Sequence, residues 1–211
     1  MKKITILIIT VLFTLTTSAF AGGMIGVKVG TGDLEGNAKS YVAGSTTYAA
    51  ESGSKDSLFG AIFAEVNIKE SPISVGLEYV PFDADISLNG KNGNVNANVG
   101  DYTTIYALAI RELTNFNVYA KLGYSMADIG TIKPNDTLSE VNSQSDSLDG
   151  IMYGVGVQSQ ELPGGLVARA EYTYTDFDDI SVTTSSNGSP STKKTADGDL
   201  TTLTVSISKS F

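Results

Sequence analysis

The sequence contains no cysteine, no histidine and no tryptophan, and it has only five prolines. Without cysteine it can form no disulfide and offers no thiolate nucleophile or thiolate metal ligand. Without histidine it lacks the side chain that most often acts as a general base. Neither a G-x-S-x-G motif nor a phosphate-binding glycine loop is present. These absences predict a protein that is not an enzyme and holds no cofactor.

Long hydrophobic runs are also missing, because the longest one, over residues 4–15, is shorter than the ~20 residues of a membrane-spanning helix. This run follows Lys2 and Lys3 and precedes the small-residue motif Ala19-x-Ala21. A cationic start, a short apolar run and a small-residue motif together are typical of a secretory signal peptide. We therefore predict a signal peptide over residues 1–21, cleaved after Ala21, and one mature domain over residues 22–211.

The recurring pattern after residue 22 is an alternation of apolar and polar residues with a period of two, which predicts β-strands. It occurs in eight segments, at residues 25–30, 58–68, 73–79, 102–111, 118–126, 150–158, 166–174 and 203–211. Short connections (69–72, 112–115 and 159–165) alternate with long polar ones (31–56, 83–101, 128–149 and 176–199). This order predicts an all-β, eight-stranded antiparallel transmembrane up-and-down barrel with short periplasmic turns and four long extracellular loops.

Charged residues fall almost entirely on one face of these segments, which supports a membrane location. A charge that faces lipid at mid-depth costs about 2–4 kcal/mol, whereas a charge in the lumen can pair with another. The residues predicted to meet in the lumen are Glu65, Glu78, Arg111, Lys121, Arg169 and Glu171. The preferred interpretation is a structural ion-pair network that fills the interior. The alternative is a narrow pore that opens when the charges exchange partners.

The excess negative charge lies in the long connections, which hold 17 acidic residues and six lysines. Removal of Lys2 and Lys3 with the signal peptide changes the net charge from −9 to −11. Oxygen ligands for Ca²⁺ or Mg²⁺ are conceivable at Asp146 and Asp149, or at Asp176, Asp178 and Asp179. No calcium-binding motif spacing is present, so we predict a solvated acidic rim and no metal site. An acidic rim also disfavours nucleic acid as a partner.

Tyrosine is the main aromatic residue. Seven tyrosines are predicted on the outward face: Tyr79, Tyr102, Tyr106, Tyr124, Tyr153, Tyr172 and Tyr174. An aromatic girdle at the membrane interface accounts for them, and ordinary β-strand propensity is the alternative.

The last strand carries a motif of known type. Leu203, Val205 and Ile207 occupy every second position before the terminal aromatic Phe211. This segment resembles the C-terminal signature of bacterial outer-membrane proteins, although Lys209 departs from it. Residues 167–177, 119–124 and 153–157 resemble strands of the OmpA-like small outer-membrane barrel family.

The resemblance covers about residues 22–211 and implies an integral protein of the Gram-negative outer membrane. It implies that Leu203, Val205, Ile207 and Phe211 are the signal read by the barrel-assembly machinery, and that outer-membrane lipid and lipopolysaccharide surround the barrel. We expect a monomeric, non-enzymatic protein with a structural or surface-interaction role, whose loops contact an unidentified surface or host partner. A small-solute or ion-conducting porin-like channel is the alternative.

Overall fold

The computed structural model describes residues 20–43, 45–81, 84–90, 93–130, 133–134, 139–145, 147–186 and 192–211. Its strands are β1 (Phe20–Ala38), β2 (Tyr41–Ala43), β3 (Thr46–Tyr48), β4 (Glu51–Ile68), β5 (Ile73–Val80), β6 (Ala84–Gly90), β7 (Gly93–Glu112), β8 (Phe116–Ile129), β9 (Lys133–Pro134), β10 (Ser139–Gln144), β11 (Ser147–Ser159), β12 (Leu166–Ser186) and β13 (Thr192–Ser210). Within these residues no helix is long and apolar enough to span a membrane.

Eight of the strands close into a ring, in the order β1, β4, β5, β7, β8, β11, β12, β13 and back to β1. Every neighbouring pair is antiparallel. The ring closes where Gly23 and Phe211 exchange two backbone hydrogen bonds. The distance from Gly23 N to Phe211 O is 3.1 Å, and that from Phe211 N to Gly23 O is 3.0 Å. The predicted eight-stranded antiparallel barrel is confirmed.

Alternation along the strands separates an apolar outer face from an inner face. In β11, Ile151, Tyr153 and Val155 are at least half exposed, whereas Met152 between them is 3% exposed. A period-two pattern produces this result because successive side chains of a strand point to opposite faces. The exposed apolar side chains form the lipid-facing surface that a transmembrane barrel requires.

One end of the barrel, here called the turn end, has only short connections, at residues 69–72, 113–115 and 160–165. In the last of these, Gly164 and Gly165 have φ angles of 85° and 74°, which glycine adopts without strain. The opposite end, here called the extension end, differs from the prediction of long loops. There β1 stays paired with β13 as far as Ala38 and Ala196, and with β4 as far as Glu51. Much of the predicted loop sequence is therefore strand.

The predicted faces of β7 are wrong. Tyr106 is predicted on the lipid face, but it is 4% exposed inside the barrel, and Leu108 on the same face of the strand is 1% exposed. Ile105 on the opposite face is 46% exposed. The girdle prediction therefore fails for Tyr102 and Tyr106, while Tyr124, Tyr153 and Tyr172 do lie exposed on the outer face at 43–50%.

Candidate functional site

The lumen contains a closed arrangement of two lysines and two glutamates from four strands. Lys28 Nζ lies 2.6 Å from both Glu78 Oε2 and Glu171 Oε1. Lys121 Nζ lies 2.9 Å and 3.0 Å from the same two oxygens. Each lysine thus contacts both glutamates, and all four side chains are less than 10% exposed. This lysine–glutamate square ties β1, β5, β8 and β12 together across the interior.

A third ion pair lies beside the square. Arg169 Nη1 and Nη2 donate to the two oxygens of Glu65 at 2.6 and 2.8 Å, which is the bidentate geometry of a strong charge-assisted pair. Arg169 Nε donates to Gln158 Oε1 at 3.0 Å. The square and this pair together hold three cations and three anions, so the ionised lumen cluster is electrically neutral.

Tyrosines complete the cluster and fill the space that glycines leave. Tyr106 OH donates to Glu65 at 2.7 Å, and Tyr119 OH donates to Glu171 at 3.0 Å. The Tyr119 ring lies over Gly156 so closely that a Cβ added there would be 2.2 Å from a ring carbon. The absence of a side chain at this glycine is what allows the tyrosine to enter the lumen.

A layer of hydroxyl groups lies next to the charges, toward the extension end. Thr104 and Ser125 are hydrogen-bonded at 2.8 Å, and Tyr102 OH donates to Ser125 at 3.0 Å. Thr173 and Thr202 are hydrogen-bonded at 2.7 Å. In the part of the chain that the structure describes, no buried side-chain nitrogen or oxygen lacks a hydrogen-bond partner. The described polar side chains of the interior thus satisfy one another's hydrogen bonds.

Five of the six residues predicted to meet in the lumen do meet there: Glu65, Glu78, Lys121, Arg169 and Glu171. The prediction for Arg111 is wrong, because this residue shares the outward face of β7 with Ile105 and is exposed. The third cation is instead Lys28, which is 6% exposed. The sequence signal for Lys28 was its place on the polar face of the first segment, between Val27 and Val29 of the apolar face.

The extension end carries an acidic outer surface beyond the apolar band. Asp199 of β13 lies directly opposite Glu35 of β1 on one side and Asp176 of β12 on the other. Partial burial, followed by the charges of Asp176, Asp33 and Asp197, raises the pKa of Asp199. Like charges that face each other across strands destabilise a sheet. The row formed by Glu35, Asp199 and Asp176 therefore does not contribute to the stability of the barrel.

The ammonium group of Lys39 neutralises part of this negative charge. Lys39 Nζ lies 2.6 Å from Asp179 and 3.5 Å from Asp197, and all three side chains are at least one-third exposed. The hydrogen bond to Asp179 raises the pKa of Lys39. Exposed pairs of this kind contribute little to stability.

No group of three or more Asp or Glu side chains that could hold a metal ion is found among the described residues. Of the acids considered for divalent cations, Asp146 lies outside those residues. Asp149 accepts a hydrogen bond from Ser147 at 3.0 Å, and Asp179 is paired with Lys39.

The apolar residues of the C-terminal motif lie on the outer, membrane-facing side of β13. Leu203, Val205, Ile207 and Phe211 are 50–71% exposed. Lys209, which departs from the motif, donates to the Gly164 carbonyl of the neighbouring turn. Of the predicted cleavage motif, Ala19 lies outside the described residues, and Ala21 lies in β1, two residues before the ring closes at Gly23.

The fold is similar to those of solved outer-membrane proteins. The attachment invasion locus protein Ail of Yersinia pestis, solved with the heparin analogue sucrose octasulfate, is 13% identical, with a TM-score of 0.45 over 90% of this chain and 99% of that one. Neisserial surface protein A is 11% identical, with a TM-score of 0.49 over 89% and 97%. The Escherichia coli outer-membrane protease OmpT is 8% identical, with a TM-score of 0.45 over 95% and 100%. Such similarity concerns the fold and not the activity.

No curated protein matches the sequence. The family described as outer membrane protein beta-barrel domain does match it, over residues 7–211. This match covers nearly all of the chain and agrees with the closed ring of eight antiparallel strands. The chain therefore belongs to the outer membrane protein beta-barrel domain family and is an integral protein of the Gram-negative outer membrane.

Proposed function

We propose that this barrel is a closed, non-enzymatic anchor in the outer membrane that presents an acidic surface to the cell exterior. The observation that carries the proposal is the paired charge cluster in the lumen. A neutral cluster of six charged side chains spans it, and the described buried polar groups are all hydrogen-bonded. An eight-stranded barrel is just wide enough for its own side chains, which supports a lumen that these residues close to water.

Opening a pore would require the square to come apart. Breaking a buried ion pair by removing one partner typically costs about 3–5 kcal/mol, because the remaining charge is left in a low-dielectric interior. Separating Lys28 and Lys121 from Glu78 and Glu171 at once would break four such contacts. Glu65, the third carboxylate of the described lumen cluster, is already held by Arg169 and so is not free to accept the lysines.

The absence of histidine supports a non-enzymatic role, because histidine is the side chain that most often acts as a general base near neutral pH. The lumen carboxylates and ammonium groups are held by one another, so none is placed to attack or protonate a substrate. The hydroxyl layer is likewise internally hydrogen-bonded. Function is therefore assigned to the outer surface.

The extended strands at the extension end support a surface-interaction role. Hydrogen-bonded ladders fix the positions of Glu35, Asp176 and Asp199 relative to the membrane. Surface positions held by a rigid scaffold are common sites of binding. The negative charge selects against nucleic acid and other polyanions and in favour of cationic partners.

Export and assembly complete the proposal. Residues 1–21 would direct export and be removed after Ala21, and the exposed motif of Leu203, Val205, Ile207 and Phe211 would be read by the barrel-assembly machinery. The exposure of these four side chains supports recognition by the assembly machinery, because a protein outside the barrel can contact them. The inserted protein is proposed to be a monomer, since its ring has no open edge within the membrane.

Single-channel recording of the full chain in planar bilayers tests the closed lumen. We expect no reproducible conductance steps from the unaltered protein. The matched control is Glu65→Ala/Arg169→Ala, which empties part of the lumen and should produce steps. Reproducible steps from the unaltered barrel would establish the porin-like alternative instead.

Binding of an oligolysine peptide to the refolded barrel tests the acidic surface. Asp176→Asn/Asp199→Asn should weaken this binding, and raising the salt concentration should weaken it further. Glu112→Gln, which removes an exposed carboxylate at the turn end, serves as the control and should bind as the unaltered protein does. Equal binding by all three proteins would remove the acidic surface from the proposal.

A further inference from the structure

The lipid-facing surface of the barrel contains a groove that ends at a cation. The groove has a volume of about 610 Å³ and is lined by outward residues of five strands, β7, β8, β11, β12 and β13. Small side chains form its floor, at Ala109, Ala120 and Ala170, and Arg111 and Leu203 lie at its two ends. We refer to these residues as the Arg111 groove.

Arg111 is the one charged side chain that faces outward into this groove among the described residues. Glu171 also borders the groove, but its side chain lies in the lumen, paired with Lys28. A second lipid-facing groove, between Val29, Leu58 and Val205, has no charged residue in its lining. The cation therefore distinguishes the Arg111 groove from this second outer depression.

Arg111 also lies at the level of lipid headgroups. It is one residue from the end of β7, next to the turn end, which is the periplasmic side of a barrel in this family. An arginine at this depth can keep its guanidinium at the membrane surface, and the guanidinium plane matches the oxygens of a phosphate. By contrast, Lys209 at the same end is already bonded to the Gly164 carbonyl.

The groove has the length of an acyl chain in one leaflet. From Arg111 on β7, four strand-to-strand steps of about 4.8 Å, or about 19 Å in all, lead to Val205 on β13, and Leu203 lies two residues further toward the extension end. With strands tilted by about 35–45°, this path rises about 11–13 Å toward the membrane centre. One leaflet of a hydrocarbon core about 30 Å thick measures about 15 Å. A chain in the groove would thus cross most of the periplasmic leaflet.

We propose that the Arg111 groove binds one anionic glycerophospholipid of the periplasmic leaflet, with its phosphate on Arg111 and an acyl chain over Ala109, Ala120 and Ala170. The membrane necessarily supplies lipid to this surface, and the charge at the groove's end selects an anionic headgroup. In a zwitterionic lipid the ammonium group competes for the same phosphate. The site is independent of the lumen and of the acidic outer surface.

Native mass spectrometry of the full-length barrel in mixed micelles tests this site. The probes are phosphatidylglycerol and phosphatidylethanolamine with the same acyl chains, and glycerol phosphate as a chain-free competitor. We expect one phosphatidylglycerol to be retained at least about tenfold more strongly than phosphatidylethanolamine, the ratio that one charge-assisted contact supplies. Glycerol phosphate should not displace it, because it lacks the chain.

Two matched pairs of variants separate the headgroup contact from the chain contact. Arg111→Gln should abolish the preference for phosphatidylglycerol, whereas Lys209→Gln, which removes a cation at the same end, should keep it. Ala170→Leu fills the groove and should weaken retention, whereas Ala168→Leu, on the same face of β12 but outside the groove, should not. Far-UV circular dichroism checks that each variant is folded.

Equal retention of the two lipids by the unaltered protein would overturn the proposal. So would an Arg111→Gln variant that retains the preference, or equal losses for the two alanine substitutions. Displacement by glycerol phosphate alone would reduce the site to a simple phosphate contact and overturn the chain-binding part.

Discussion

Replacing Arg169 with methionine removes the cation that Glu65 binds, while keeping an unbranched side chain of similar length in the lumen. Two charge-assisted hydrogen bonds, of 2.6 and 2.8 Å, disappear with the guanidinium. Glu65 is then left, 1% exposed, with the hydroxyl of Tyr106 as its remaining hydrogen-bond donor. A buried carboxylate in this position has lost its counter-charge, so Arg169→Met should destabilise the barrel.

The expected loss is about 3–5 kcal/mol of the free energy of unfolding, the usual cost of removing one partner of a buried pair. The same reasoning predicts strong coupling with Glu65. In Glu65→Leu/Arg169→Met both members of the ion pair are gone and no unpaired buried charge is left, so the double variant should be no less stable than Arg169→Met. Two independent core substitutions would instead add.

Urea unfolding in lipid vesicles, followed by far-UV circular dichroism and tyrosine fluorescence, measures these differences. Lys39→Met is the control, because it breaks an exposed pair at the extension end and should leave the urea midpoint unchanged. The reasoning fails if Arg169→Met loses less than about 1 kcal/mol, or if the double variant loses the sum of the two single losses.

Three further results are expected. Gly156→Ala should destabilise the barrel by about 1–3 kcal/mol, because the new methyl group displaces the Tyr119 ring; retention of full stability in urea would show that the ring can move freely. Asp199→Asn should stabilise the barrel slightly, toward the lower end of the ~0.2–1 kcal/mol of a cross-strand pair. The raised pKa of Asp199 means that its ionised form opposes folding at neutral pH, and this penalty is lost as the pH falls through the raised pKa toward the ordinary pKa of aspartate, so the variant's advantage in urea should vanish in acid. Intact-mass measurement of protein extracted from outer membranes should give a chain that starts at Gly22, and an uncleaved chain would contradict the cleavage after Ala21.

The barrel could be predicted from the sequence because the membrane imposes a strict alternation of apolar and polar residues on its strands. In β11, every outward residue from Ile151 to Val157 is apolar, and no other environment favours such an exposed row. The same constraint located five members of the lumen cluster, since their charges are excluded from the lipid face. Pairing partners were not predictable, because they depend on the register of strands far apart in the sequence.

The errors arose where the membrane pattern is weak. Residues 105–110 of β7 read Ile-Tyr-Ala-Leu-Ala-Ile, so both faces are apolar and periodicity cannot choose between them. Tyr106 occupies the lumen because Gly76 opposite leaves room for its ring, a contact that depends on strand pairing. Choosing the wrong face for β7 also placed Arg111 in the lumen.

The extended strands were missed for a related reason. Beyond the apolar band both faces of a strand meet water, so no alternation marks them in the sequence. Residues 32–38 read Gly-Asp-Leu-Glu-Gly-Asn-Ala, a composition typical of loops, yet they continue the β1 ladder. Their conformation follows from the pairing of the neighbouring strands and not from local preference.

The hydrogen bonds between Gly23 and Phe211 have a consequence for the order of folding. Most strand pairs of the barrel are neighbours in the chain and can form early, but β1 and β13 stand at opposite ends of it. Closing a loop of almost 190 residues costs about 3–4 kcal/mol more in chain entropy than closing a four-residue turn. The pairing that completes the ring therefore forms last. Until then both terminal strands expose unpaired edges, and the unfinished sheet is prone to aggregation during its passage to the membrane.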